Sequence, residues 1–214
     1  MKFILSILAL LAIAFLVGCS AKDTRDNKLS NSEITKLGKK YGGVYVFNKK
    51  FEKEIDDRER ERQELSQELG NKIRSNPRKI KNGNEYIIIY DIDMTPVDQK
   101  LPQTLSNGKK YYTSTRSYEQ DYKKAVNVSK KYINEVINFI GQEDYNKFKP
   151  SIDIGYFYVD NDEIVPIELS ATYSYQGTKF GLFGDEGRGF ALSRDEIRYT
   201  KGGNRFYLED LERR

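Results

Sequence analysis

The stretch YIIIYDIDMTPVD, residues 86–98, holds the side chains of this sequence that are best suited to chemistry. Two aspartates, Asp91 and Asp93, follow an apolar run, and Thr95 comes two residues later. Carboxylates can act as nucleophiles and can bind Mg²⁺, and neither role needs a histidine. The continuously apolar run Tyr86–Tyr90 predicts a central strand covered on both faces, which would deliver the two acids to its end.

The Asp-x-Asp-x-Thr order resembles the opening motif of phosphatases of the haloacid-dehalogenase type. The resemblance implies that Asp91 is the nucleophile, that Asp93 is the acid–base and that Thr95 belongs to their loop, with magnesium screening the phosphate. That fold is a doubly wound parallel sheet, whereas the later sequence predicts β-hairpins. A magnesium-dependent phosphatase is therefore the alternative function, and an acidic strand end is the preferred interpretation.

The amino-acid composition excludes several kinds of catalytic and metal site. The 214 residues include no histidine, which excludes a Ser-His-Asp triad, a Cys-His pair and histidine-ligated zinc. Cys19 is the only cysteine, so a chain that begins there can form no internal disulfide. The formal net charge of +4 is mild and gives no nucleic-acid footprint. We predict no cofactor, no metal site, no catalytic residue and no nucleic-acid partner.

Residues 1–18 have the pattern of an export signal. Lys2 provides a positive start, and Phe3–Val17 is apolar apart from Ser6. The run is shorter than the roughly 20 apolar residues that a membrane-spanning helix needs. Its end, Leu16-Val17-Gly18-Cys19, resembles the lipobox of bacterial lipoproteins.

The lipobox resemblance implies a lipid anchor. Cleavage would follow Gly18, the Cys19 thiol would carry a diacylglycerol, and the new amino terminus would be acylated as well. Several acyl chains are needed because each buried methylene contributes only about 0.8 kcal/mol. Ser20 replaces the aspartate that often retains lipoproteins in the inner membrane. The resemblance therefore implies the outer membrane of a Gram-negative host, or the outer face of the single membrane of a Gram-positive host, with the domain facing the periplasm or the exterior.

The sequence predicts four parts. Residues 1–18 are the signal peptide, and residues 19–40, which are polar and small, are the lipidated flexible tether. Residues 41–80 contain a short strand and a long polar helix, and residues 81–214 form an α+β globular domain. Arg58 and Arg62 interrupt the apolar stripe of the polar helix, so its middle is predicted to be solvated.

The predicted fold class is α+β, with an antiparallel sheet of hairpins packed against one long amphipathic helix. That helix spans residues 118–140, with a capping box at Ser117 and Gln120. An Asn161-Asp162 turn joins the strands of the first hairpin. Pro166 marks an edge strand or a bulge because it cannot donate a ladder hydrogen bond. EIRYT and RFYLE, at residues 196–200 and 205–209, predict a second hairpin.

Two segments are candidates for binding. FGLFGDEGRGF, residues 180–190, is predicted to be a glycine-rich surface loop whose apolar side chains fold back onto the core or face a partner. The basic residues Lys72, Arg74, Arg78, Lys79 and Lys81 could meet anionic lipid head groups or polysaccharide. The preferred function is thus a non-enzymatic binding or structural role, with membrane lipid at Cys19 and a protein or envelope component as partners.

The anchor prediction is tested by Cys19→Ser. The substitution removes the thiol that the lipid needs, so we expect reduced partitioning into membranes and an altered apparent mass on gels. Fractionation and electrophoresis of cells that express the two forms measure both properties. If neither property changes, the lipobox interpretation is wrong.

Overall fold

The computed structural model describes residues 29–83, 85–185, 189–200 and 202–210. The predicted leader and Cys19 lie outside these ranges. In the described part of the chain, no helix is both long enough and apolar enough to cross a membrane. The described chain combines helices with antiparallel strand pairs, and most of its strands follow the last α-helix, which confirms the α+β class.

The helices are α1 (Asn31–Tyr41), α2 (Lys49–Leu69), α3 (Thr95–Lys100), α4 (Thr115–Tyr122), α5 (Lys130–Ile140) and α6 (Gln142–Lys147). The strands are β1 (Gly43–Val46), β2 (Arg74–Asn82), β3 (Glu85–Ile92), β4 (Tyr111–Tyr112), β5 (Ser151–Ile154), β6 (Phe157–Asp160), β7 (Glu163–Pro166), β8 (Glu168–Thr172), β9 (Ser174–Asp185), β10 (Gly189–Tyr199) and β11 (Asn204–Tyr207). They form a four-stranded sheet of order β11-β1-β8-β5, a three-stranded sheet of order β4-β6-β7, and the two-stranded pairs β2-β3 and β9-β10.

The chain divides into two compact units, each assembled from separate stretches of sequence. Unit 1 comprises Met1–Gly43, Val136–Ile152 and Ala171–Asn204. Unit 2 comprises Val44–Glu135, Asp153–Ser170 and Arg205–Arg214.

In unit 1, helix α1 replaces the second half of the predicted tether. Ser30 and Glu33 form a reciprocal capping box, and Ile34 is fully buried one residue later. At the other end, the Tyr41 hydroxyl donates a 2.7 Å hydrogen bond to Asp144 of α6. The tether prediction was wrong over residues 31–40 because one capping signal and one buried side chain stabilise a helix in a polar segment.

In unit 2, the predicted polar helix is confirmed as α2. The Asn48 side chain caps its start by accepting from the Phe51 N–H at 2.8 Å. The helix ends at Gly70, whose φ of +49° suits a glycine, and a 3₁₀ turn follows over Gly70–Ile73. Ile55 of α2 packs into a buried cluster, which also contains Leu105, Tyr111 and Ile167.

The middle of α2 is not solvated at Arg62, which is only 5% exposed. Its guanidinium lies 2.6 Å from an Asp98 carboxylate oxygen and also donates to the Leu101 carbonyl. Its Nε lies 3.5 Å from Glu59, which accepts a 2.6 Å hydrogen bond from the Tyr111 hydroxyl. The arginine that interrupts the apolar stripe is therefore a buried, multiply paired cation that joins α2 to the segment after β3.

The central-strand prediction for Tyr86–Tyr90 was wrong. Strand β3 pairs with β2 in a two-stranded ribbon, and most of its apolar side chains are exposed. Pro77 lies in β2, where the register shifts between Ser75 and Pro77. A continuous apolar run predicts burial on both faces, but no other strand of the described chain joins this pair.

The predicted helix over residues 118–140 is broken in two. Helix α4 starts at Ser114, whose Oγ accepts from the Ser117 N–H, so the predicted capping box is absent. It ends at Lys123, which has a left-handed φ of 55°. Tyr118 and Val126 pack on one cluster around Phe157, whereas in a continuous helix they would lie about 12 Å apart along the axis.

The first predicted hairpin is confirmed as β6–β7. Asn161 and Asp162 form its turn with φ values of 47° and 62°. Pro166 ends β7, an edge strand of the three-stranded sheet, as predicted. The second predicted hairpin was wrong, because residues 196–199 belong to β10 while β11 neighbours β1.

Replacing Arg62 tests the buried network. We expect Arg62→Ala to lower the free energy of unfolding by about 3 kcal/mol, because it removes a buried cation with three partners. Arg60→Ala is the matched control on the same helix, since Arg60 is exposed and pairs only with Asp57 at the surface. Urea unfolding of both variants measures the difference. Equal effects would contradict the role assigned to Arg62.

Candidate functional site

Asp91, Asp93 and Thr95 lie at the base of the β2–β3 ribbon. Asp91 is inside β3, not beyond its end, and its carboxylate lies 2.5 Å from the Arg78 guanidinium on β2. The Asp93 carboxylate accepts a 3.0 Å hydrogen bond from the Thr95 N–H, and bonding to Thr95 lowers its pKa. The Asp93 N–H donates to the Ile73 carbonyl at 2.8 Å.

These contacts give the two aspartates structural roles. Asp91 forms an exposed ion pair across the ribbon, and Asp93 fixes the chain where β3 leads into α3. Among the residues that the structure describes, no group of three or more His, Cys, Asp or Glu side chains is placed to hold a metal ion. The geometry therefore suits a strand end whose acids bind neighbouring groups.

A buried charged cluster in unit 2 was missed by the sequence analysis. Glu52 of α2 and Glu168 of β8 are both buried, and Arg205 of β11 lies between them. Its Nε is 3.3 Å from Glu52 and its Nη2 is 3.8 Å from Glu168. No local pattern could reveal this cluster, since its members come from three separate elements and each looks like an ordinary surface charge in the sequence.

The environment of the cluster shifts the pKa values of its carboxyl groups. Burial raises the pKa of Glu168 and of Glu52, and the Arg205 guanidinium opposes this only in part. Burial and the nearby acid Asp56 raise the pKa of Tyr156 to about 12. Gly155 leaves room for the Glu168 carboxylate, because a Cβ there would lie 2.3 Å from one of its oxygens.

Unit 1 carries an exposed apolar surface where residues 180–190 had been predicted to form a loop. Most of that stretch belongs to β9 and β10, which pair over Ser174–Asp185 and Gly189–Tyr199. The exposed large apolar side chains of this ribbon are Phe180, Leu182, Phe190, Leu192, Ile197 and Tyr199. The loop prediction was wrong. Of its two alternatives for the apolar side chains, folding back onto the core does not describe Phe180, Leu182 and Phe190, which are exposed, and contact with a partner stays a prediction.

Five of these side chains share one face of the β9–β10 ribbon, which we call the apolar face, whereas Leu192 lies where the register shifts between Ala191 and Ser193. Alternation puts Phe180, Leu182 and Gly184 on the same side of β9, and Gly184 pairs with Phe190. Ile197 and Tyr199 lie opposite Gln176 and Ser174, on the same side. The opposite face is charged, with Lys179 paired to Arg194, whose guanidinium lies 4.8 Å from the centre of the Phe183 ring.

The β2–β3 ribbon of unit 2 combines apolar and basic side chains on one face. Tyr86, Ile88 and Tyr90 alternate along β3 and are all exposed. Their directly paired partners on β2 are Lys81, Lys79 and Pro77. Of the basic cluster predicted from the sequence, Lys79 and Lys81 therefore lie beside a row of aromatic and aliphatic side chains, whereas Arg78 lies on the other face.

Comparison of the chain with protein-family models, with curated proteins and with solved structures finds no match. The functional argument consequently depends on the two exposed ribbons and on the residues that hold them.

The raised pKa of Glu168 predicts a pH effect on stability. A carboxyl that binds its proton more tightly when folded stabilises the fold most below its unfolded pKa, and this contribution falls as the pH rises through the folded pKa. Glu168→Gln replaces the carboxyl by a side chain that does not ionise, so the variant does not lose stability in this way as the pH rises. We expect the free energy of unfolding of the variant, minus that of the native chain, to increase from pH 4 to pH 7.

Chemical denaturation across that pH range measures the difference. Glu163→Gln, at the exposed start of β7, controls for the loss of one carboxylate elsewhere. A difference for Glu168→Gln that stays constant with pH would contradict the assignment.

Proposed function

We propose that this chain is a lipid-anchored lipoprotein of the bacterial cell envelope with a non-enzymatic binding role. Cys19 would attach the chain to the membrane, and the apolar face of the β9–β10 ribbon would contact a protein partner. The observation that carries the binding role is this face, on which Phe190 is 74% exposed and Leu182 is 71% exposed.

The size of the apolar face favours a partner. Five large side chains at these exposures present on the order of 600 Å² of apolar surface. A stable protein interface buries about 800 Å² on each partner, so this face could form the centre of one. Isolated exposed apolar residues are normal on a protein surface, but a contiguous set along one face is typical of a binding site.

The backbone of the ribbon offers a second means of contact. Strands β9 and β10 pair with each other, and no further strand joins them in the described chain. Exposed strand edges carry unpaired N–H and C=O groups that can extend a sheet with a strand from another protein. A partner with an apolar surface and a free strand edge would satisfy both features.

Two observations support a non-enzymatic role over the phosphatase alternative. Asp91, the nucleophile under that alternative, is bound to Arg78, and Asp93 is hydrogen-bonded to the backbone of Thr95. A phosphatase would need both carboxylates free to reach a phosphate and its magnesium ion. These contacts favour assigning the two aspartates to the architecture of the ribbon.

A photo-crosslinking amino acid at position 190 tests the proposal in the native envelope. We expect a discrete crosslinked species that is lost when Phe180 and Leu182 are replaced by serine, because these residues share the apolar face. The same crosslinker at Ala191, which is adjacent to Phe190 and pairs with Phe183 on the other face, is the matched control.

Two results would overturn the proposal. Crosslinks that are equal at positions 190 and 191, or absent from both, would remove the partner from the apolar face. Magnesium-dependent phosphatase activity of the purified chain that Asp91→Asn abolishes would establish the enzymatic alternative instead.

A further inference from the structure

The face of the β2–β3 ribbon that carries Tyr86, Ile88 and Tyr90 has an unusual combination of properties. Tyr86 is 69% exposed and Ile88 is 56% exposed, and Ile92 continues the same row at the base. The residues directly opposite this row are Lys81, Lys79, Pro77 and Arg74. One face thus presents two tyrosines and two isoleucines beside three cations, with no acidic side chain among these positions.

The opposite face of the same ribbon differs in charge. There Arg78 is neutralised by Asp91 at 2.5 Å, and Ile80 lies opposite Ile87. The three cations of the first face have no such acidic partner on their own face, and the Arg74 guanidinium lies over the Tyr90 ring, 5.8 Å from its centre. The two faces are therefore distinguished by a net positive charge on only one of them.

This combination matches the interface of an anionic bilayer. Tyrosine is enriched at the level of lipid head groups, because its ring is apolar and its hydroxyl remains hydrated. Isoleucine side chains can enter the acyl boundary while lysine side chains extend towards the phosphates. Each Lys or Arg near an anionic surface contributes about 1 kcal/mol, which corresponds to about a fivefold change in affinity.

A short covalent link would keep the chain near that surface. Nine residues lie between Cys19 and Leu29, where the described chain begins. Fully extended, the ten steps from Cys19 to Leu29 reach at most about 35 Å. Attachment at Cys19 would therefore hold the domain at a high effective concentration at the bilayer, so that even a weak contact would be populated.

We propose that the Tyr86, Ile88 and Tyr90 face of the β2–β3 ribbon docks on anionic phospholipid of the membrane that carries the anchor. The inference rests on the proposed anchoring at Cys19, because the anchor supplies the proximity. The face then acts as a second, reversible membrane contact that sets the orientation of unit 2 at the bilayer.

The experiment uses the native lipoprotein with Ile88→Cys, reconstituted into vesicles. The Cys19 thiol is blocked by its lipid, so an environment-sensitive fluorophore would label only position 88. We expect a blue-shifted emission and quenching by brominated acyl chains in vesicles with 30% phosphatidylglycerol, and neither effect in pure phosphatidylcholine. Ile87→Cys, on the opposite face of the same strand, is the matched control and should stay in water in both.

Variants of the basic residues test whether docking depends on their charge. Lys79→Gln and Lys81→Gln should each lower the ratio of docked to undocked ribbon about fivefold, and high salt should mimic them. Arg78→Gln, on the other face, should have a smaller effect.

The outcomes separate the inference from the proposed function. Failure of the native lipoprotein to float with vesicles would overturn the anchor and this inference together. Flotation with an aqueous signal at position 88 in anionic vesicles would overturn docking alone, and an equal shift in neutral vesicles would overturn the role of charge. A shift in neutral vesicles that grows with the surface density of the protein would assign the face to a second copy of the chain and also overturn docking.

Discussion

The buried guanidinium of Arg62 is the constraint on which much of unit 2 depends. A cation in this position must be paired, because an isolated buried charge is far too costly. Asp98, Glu59 and the Leu101 carbonyl meet that requirement, and Glu59 in turn binds Tyr111 of the three-stranded sheet. The chain that leaves β3 is thereby fixed against α2, while the start of β2 follows directly from the end of the same helix. Both ends of the β2–β3 ribbon are consequently attached to one rigid element, which lets the ribbon project without a sheet of its own.

The two ribbons differ in where their charged side chains lie. Both expose apolar side chains to solvent, and both carry charged side chains close to them. In the β9–β10 ribbon most of the charges lie on the opposite face, with Lys179, Arg194 and Arg198 beside Glu196, and the apolar face carries Asp195, which accepts a hydrogen bond from Thr178. In the β2–β3 ribbon the cations lie beside the apolar row on the same face. The first arrangement suits a dry protein interface, and the second suits a boundary between lipid and water.

Local signals in the sequence predicted local structure well. The polar helix from Lys49, the strand at Gly43–Val46 and the β6–β7 hairpin all formed as expected, because capping, alternation and turn chemistry act over a few residues. Two local capping signals were misjudged, since the box at Ser30 and Glu33 was overlooked and the one assigned to Ser117 and Gln120 is absent. The other failures came where distant contacts decide. The apolar run at Tyr86–Tyr90 gave no indication of whether other layers would cover it. The helical periodicity over 118–140 did not reveal that Lys123 adopts a left-handed conformation, which breaks the helix. For the candidate site, the sequence identified the apolar residues of 180–190 and the basic cluster, but not their arrangement on strands. The buried pairing of Arg205 with Glu52 and Glu168 had no local signal at all.

The order of strands in the four-stranded sheet also determines when folding of the chain can be completed. Both ribbons pair residues fewer than 30 positions apart, so each can form within microseconds of its own synthesis or release. In the four-stranded sheet, by contrast, β1 neighbours β11, and about 160 residues separate the two strands in the chain. Such a pairing has a high contact order and cannot begin until the carboxyl-terminal strand is available. A chain that crosses a membrane with its amino terminus first would therefore stay incompletely folded until its last residues had emerged, and so could pass through a narrow pore in an extended form.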